Sequence, residues 1–318
     1  MAIDRILVPV DFSEYSDAAV RAALALTQKR LGTTITLLHV VPARDTGVVA
    51  VEPMYAPPRV VETLYQERWA RSEHELELME GQVRTAAEPT TEVIAELADG
   101  PVAERILAYA AKSCDLVIIG SHGLSGAARF LLGSVAEEVS RTARCPVLVT
   151  PADALDADAL PSMRRAVVGI DYSAWSVAVA RLAAYVVGIE AAKGATVELV
   201  HGWQPPFVAP VQRGLSGTPP ELVTAIEQLR SAEANRLSVF AAGVNLLGVD
   251  VDTFLGEGSA PDVLIDRAEE VNADLVVVGS HARDSMAEHL LGTVADRVLR
   301  HAGRPVLLLP AEARTAWS

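Results

Sequence analysis

A chain of 318 residues with 50% hydrophobic content and a mean hydropathy of +0.26 is long enough for two ordinary domains with substantial cores. A formal charge of −14 and a pI of about 5.0 argue against a nucleic-acid surface, because duplex binding relies on clustered Lys and Arg. Charges interrupt every apolar segment well short of about 18 residues, and the start MAIDRILVPVDFS runs straight into a strand pattern, so neither a membrane span nor a signal peptide is expected and the cytoplasm is the default compartment.

In chain order, RILVPVD (residues 5–11) reads as a strand, and Ser13 caps a helical segment that stops at Gly32. TTITLLHVV (33–41) is a second strand, followed by a Pro/Gly-rich loop to about residue 58 that is long enough to act as a lid. A strongly charged helix covers 59–86, its acidic face reading as solvated surface; TTEVIAEL (90–97) alternates as a strand, and Asp99-Gly100-Pro101 turns into a helix reaching Lys112. The apolar run Leu116–Ile119 then ends in Gly120, with Gly123 next and, nine residues later, Gly133 and Ser134 opening a helix. Backbone N–H groups of a glycine loop together with first-turn helix donors make a seat for a phosphate. A strand at 145–149 closes this half, and the acidic, alanine-rich ADALDADALPS reads as a linker.

The programme then restarts. Asp11 is matched by Asp171, Ser13 by Ser173, Gly120 by Gly279, Gly133 by Gly292 and Pro146 by Pro305, at offsets of 160 or 159 residues, so the chain is an internal duplication. The expected units are 1–151, a linker over 152–163, and 164–318. Short continuous apolar strands alternating with helices argue for a parallel sheet covered on both faces, with ligands at the carboxyl ends of strands near the switch in strand order. Asp11 and Gly120 both fall at such ends.

The two cysteines, Cys114 and Cys145, are too few for a disulfide scaffold, and each precedes a predicted strand. If those strands are neighbours, the thiols come close enough to bridge under oxidation; the alternative is a pair of small buried hydrophobes. The seven histidines lack HxxxH or HExxH spacing and CxxC is absent, so no structural metal is expected. His39 and His201, at strand ends, read as packed or hydrogen-bonded rather than catalytic. There is no GxSxG, GxxxxGK[ST] or kinase HRD/DFG set, so no catalytic residue is assigned.

The ordered set Gly120, Gly123, Gly133, Ser134, with the LVPVD start, the HVV of strand two, the GSHG loop and the RCPVLV end, resembles the universal stress protein family in its tandem two-domain form. That resemblance implies two doubly wound, Rossmann-like five-stranded parallel sheets of order 3-2-1-4-5, with ATP, with or without Mg2+, across the ends of strands one and four. It implies that Asp11 contacts the nucleoside and Val41 the adenine, that Gly120, His122, Gly123, Gly133 and Ser134 surround ribose and phosphates, and that Arg129 reaches a terminal phosphate. In the second half Asp171, Gly279, His281, Gly292 and Thr293 match the pattern, whereas Ala282 stands where Gly123 stood; a methyl group there weakens the second site without abolishing it, and Arg283 and His289 add local positive charge. The family also implies internal pairing of the two halves about a pseudo-twofold axis through sheet edges or strand five, with a homodimer as a further option. Three functions remain open: an ATP-holding regulatory protein, a scaffold with empty sites acting through protein partners, and a slow ATPase or self-phosphorylating protein.

Overall fold

The computed structural model describes residues 2–28, 30–42, 58–123, 132–151, 163–190, 194–205, 220–246, 248–280 and 291–317. The first half runs β1 (Arg5–Pro9), α1 (Glu14–Thr27), β2 (Thr34–Pro42), α2 (Pro58–Ala86), β3 (Glu92–Gly100), α3 (Val102–Ser113), β4 (Leu116–Gly120), α4 (Ser134–Thr142) and β5 (Val147–Thr150). The second runs β6 (Arg165–Gly169), α5 (Ala174–Glu190), β7 (Thr196–Trp203), α6 (Pro220–Gly243), β8 (Asp250–Glu257), α7 (Ala260–Glu270), β9 (Leu275–Gly279), α8 (Thr293–His301) and β10 (Val306–Leu309), ending in a 3-10 turn at Ala311–Ala316.

The strands form one ten-stranded sheet in the order β3-β2-β1-β4-β5-β10-β9-β6-β7-β8. Each half has the 3-2-1-4-5 order, parallel throughout, so strand order reverses between β1 and β4 and between β6 and β9. The halves meet where β5 and β10 pair antiparallel, with Leu148 opposite its own counterpart Leu307. That register puts a local pseudo-twofold axis through the pair, the self-complementary arrangement of a cyclic dimer within one chain.

Strands β4, β5 and β10 are buried at every position, which is why their sequences are continuously aliphatic rather than alternating. On one face α1, α2, α5 and α6 cover residues such as Ile6, Val8, Ile118 and Val168; on the other α3, α4, α7 and α8 cover Leu7, Val117, Val147 and Val276. The halves are also tied beyond the strands. Arg30 donates to the Tyr185 hydroxyl (2.6 Å) and to Asp4 (2.9 Å), Tyr185 packs edge-on against Trp317, and on the opposite face Arg300 pairs with Glu137 at 3.1 Å.

One detail differs from the sequence expectation. Strand β3 runs on through Gly100 instead of turning at Asp99, because its ladder with β2 extends to the pair Pro42–Gly100, and the turn begins at Gly100 with φ of +129°. The loops after β2 and β7, and all of the expected linker except Met163, lie outside the described residues.

Candidate functional site at the carboxyl edge of the first half

At the end of β1 the chain reverses through Phe12, whose φ of +64° is unusual for a residue with a side chain. The turn holds Asp11 and Ser13 together: Asp11 Oδ1 accepts from the Ser13 N–H at 3.1 Å and from its hydroxyl at 2.5 Å, and Ser13 in turn caps α1 by accepting from the Ser16 N–H. It also lays the Phe12 ring on His39 at 4.5 Å. His39 Nδ1 lies 2.7 Å from the Val10 carbonyl, which can only accept, so Nδ1 carries the proton. Burial lowers the His39 pKa, partly opposed by that bond. His39 is thus a packed, hydrogen-bonded residue, as is His201, whose Nδ1 lies 2.7 Å from the Ile170 carbonyl.

Strand β4 arrives beside this turn. A Cβ on Gly120 would fall 2.7 Å from Tyr15 Cβ and 2.8 Å from its carbonyl carbon, so glycine is required for the start of α1 to approach. Past Gly120, the Gly133 N–H donates to the Ser121 carbonyl at 2.8 Å, which joins the end of β4 to the start of α4. Gly133 is the N-cap of α4 and has no side chain to cap it, so among the described residues the first-turn N–H groups are left for an external acceptor. Beside them His122 meets Ser121 Oγ through Nδ1 at 3.0 Å, while its buried Nε2 has no hydrogen-bond partner among the described residues. Burial lowers the His122 pKa.

Between these elements lies a cavity of about 320 Å³. Asp11, Gly120, His122, Gly123, Gly133 and Ser134 line it, so six of the expected site residues come together at one strand-order switch. Leu38, Val40, Val102, Ile106 and Ala136 make an apolar wall. Val41 is not part of that wall. Strand alternation turns its buried side chain away and puts its neighbours Val40 and Pro42 on the cavity instead. Arg129 lies outside the described residues. Arg68, from the middle of α2, also lines the cavity and was not anticipated; nothing in the charged helix distinguishes it from its neighbours until α2 is docked.

The second half repeats the backbone but not the space. Tyr172 takes the left-handed φ of Phe12 (+61°), and the Gly292 N–H closes on the Ser280 carbonyl at 2.7 Å. The cavity there measures about 90 Å³. Trp175, the counterpart of Tyr15, leans over Gly279, where a Cβ would lie 2.5 Å from its Cδ1. From the other side α7 moves in: a Cβ on Gly202, the counterpart of Val40, would lie 2.6 Å from Ala260 Cα. Asp171 Oδ1 is drawn into its own turn by three donors, the Ser173 N–H (2.9 Å) and the hydroxyls of Ser173 (2.5 Å) and Ser176 (2.7 Å). Asp171, Gly279 and Gly292 line this smaller space, whereas exposed Thr293 does not; His281 and Ala282 lie outside the described residues.

A family model described as the universal stress protein family matches residues 2–151 and again 163–310. Over 307 residues the chain is 33% identical to a universal stress protein of Mycolicibacterium smegmatis, covering 96% of each. It is 30% identical over 153 residues to universal stress protein YxiE of Bacillus subtilis, covering 46% of this chain and 97% of that protein. Among solved structures, a universal stress protein from Archaeoglobus fulgidus superposes with a TM-score of 0.63 at 20% identity, over 96% of both chains, a likeness of fold. With the family pattern matched twice and a relative aligned along almost its whole length, the chain belongs to the universal stress protein family as a tandem of two such domains.

Proposed function

We propose that this protein holds one adenine nucleotide, ATP, in its first half and serves a regulatory or stress-response role through that bound state. The observation that carries the reading is the contrast in space: about 320 Å³ beside β1 and β4 against about 90 Å³ at the equivalent place in the second half. Small-molecule sites typically span about 300–1,000 Å³, so only the first cavity is of ligand size.

The residues fit the group. The apolar wall of Leu38, Val40, Val102 and Ile106 suits a flat base, and the uncapped start of α4 at Gly133 and Ser134 suits phosphate oxygens. The unpartnered Nε2 of His122 supplies a polar atom that a bound ligand satisfies. Arg68 makes the lining cationic on the α2 side, and Asp11 is the one carboxylate among the described lining residues. Asp11, lining the cavity at the end of β1, is placed to orient a sugar hydroxyl. This arrangement favours retention over turnover, with the nucleotide acting as a stabilising ligand.

Calorimetry with ATP, with and without Mg2+, tests the reading. One equivalent per chain is expected, with a thermal shift corresponding to about 2.7 kcal/mol at a ligand concentration of 100 times Kd. No heat and no shift would refute it, and two equal equivalents would refute the assignment of a single loaded half.

A further inference from the structure

The two cysteines lie at the amino-terminal edge of the sheet, away from the nucleotide cavity. Cys114 is the C-cap of α3 and Cys145 immediately precedes Pro146 and β5. Because β4 and β5 are parallel neighbours, the residues that lead into them are side by side, and the sulfur atoms are 4.0 Å apart. The Cys114 thiol donates to the Leu116 carbonyl at 3.0 Å. A crevice of about 10 Å³, walled by Arg5, Thr36, Tyr109 and Ser113, reaches Cys114, roughly the space of one water-sized molecule.

The second half shows what this position does. Its counterparts of Cys114 and Cys145 are Ala273 and Arg304, and Arg304 Nη1 donates to the Ala273 carbonyl at 2.6 Å. In both halves, therefore, the residue two before the fourth strand of the half is clasped to the residue two before its last strand. The clasp is a hydrogen bond in one half and a thiol pair in the other.

We propose that Cys114 and Cys145 are a redox modification site, which closes to an intrachain disulfide on exposure to a small peroxide and reopens with a dithiol reductant. One thiolate attacks a peroxide oxygen, the O–O bond breaks, and a sulfenic acid and hydroxide result. The second thiolate attacks that sulfur, the S–O bond breaks, and the oxygen leaves as water after taking a proton. In sum two thiols and one hydrogen peroxide give one disulfide and two waters. The sulfurs need only approach from 4.0 Å to about 2.05 Å, a movement that rotation of two side chains largely supplies. Of the two, Cys145 is the readier thiolate: its contact with Cys114 lowers its pKa against the effect of burial, whereas the same contact and burial raise that of Cys114.

The test uses the full chain, freshly reduced, treated with hydrogen peroxide, then denatured and alkylated. Intact mass is expected to show no alkyl groups and a loss of two hydrogens, with a peptide containing Cys114 joined to one containing Cys145, and dithiothreitol is expected to restore two alkylatable thiols. Cys114→Ala and Cys145→Ser should each fold with nearly unchanged melting and never show the two-hydrogen loss. Two alkylated cysteines after peroxide, irreversible oxygen addition in place of the crosslink, or disulfides only between chains would each overturn the proposal. None of these readouts depends on nucleotide, so failure here leaves the first-half site untouched.

Discussion

The carboxylate of Asp11 occupies the space that a side chain at residue 123 would need: its Oδ2 abuts the position a Cβ on Gly123 would take. Gly123 is not among the glycines in the left-handed region, so its requirement is one of room rather than of backbone conformation. The glycine motif and the end of β1 are built against each other, and the second glycine is where they touch.

Gly123→Ala is therefore expected to push the Asp11 carboxylate aside and reduce ATP affinity about tenfold, or about 1.4 kcal/mol. In an Asp11→Ala background the same substitution should cost less than about threefold, because the group it displaces is gone. Calorimetry on the four proteins of the cycle decides it; equal losses in both backgrounds would mean that the methyl group meets something other than Asp11.

Trp175→Ala should open the second cavity. The indole is partly exposed, so the loss of stability is expected at the low end of about 3–5 kcal/mol for large-to-small changes. A second, weaker ATP equivalent should appear in the titration, weaker because three donors already hold Asp171. Stoichiometry that stays at one in a well-folded variant would show that filling by Trp175 is not what separates the halves.

Acidification should destabilise the protein before its carboxylates titrate. Burial lowers the folded pKa of both His39 and His122 below the ordinary 6.5, so the unfolded chain binds protons more readily. Their contribution is fully present above pH 6.5 and is lost as pH falls from there through the folded values. Melting temperature should drop between pH 7 and 5.5, and His39→Gln should flatten that slope. Nearby Asp11 and Glu75 raise the His39 pKa and Arg68 lowers it, so Arg68→Ala should reduce the drop.

The second half contains a buried ion pair whose partners cannot be removed singly. Glu198 has a side chain only 7% exposed and meets Arg267 at 2.6 Å, while that guanidinium also stacks on Phe254 at 4.2 Å. Arg267→Ala should cost about 3 kcal/mol in denaturant unfolding, because it strands the Glu198 charge. Arg267→Met combined with Glu198→Leu should cost less than half of that.

Much of this architecture was legible because the chain states it twice. The offsets linking Asp11 to Asp171 and Gly120 to Gly279 located the duplication, the strand-order switches and most of the first cavity without any coordinates. Val41 is missing from the cavity lining for a local reason: with a side-chain period of two, a shift of one residue selects the other face of β2. Arg68 was invisible because its position over the cavity depends on how a 29-residue helix docks, which no motif encodes. The difference between the halves was expected at Ala282, which lies outside the described residues; within them the halves differ at Trp175 and Gly202. The same offset that aligned the aspartates also aligns Tyr15 with Trp175, so the signal was present; its weight came only from seeing the indole lie over Gly279.

The antiparallel junction of β5 with β10 has one more consequence. In a pair made of two identical chains every substitution appears twice, so a tryptophan that filled one site would fill both. Covalent linkage frees the halves from that constraint while the tether keeps them paired at any protein concentration. The chain is thus a dimer able to break its own symmetry, with one copy free to specialise as a permanent structural partner while the other keeps an open cavity.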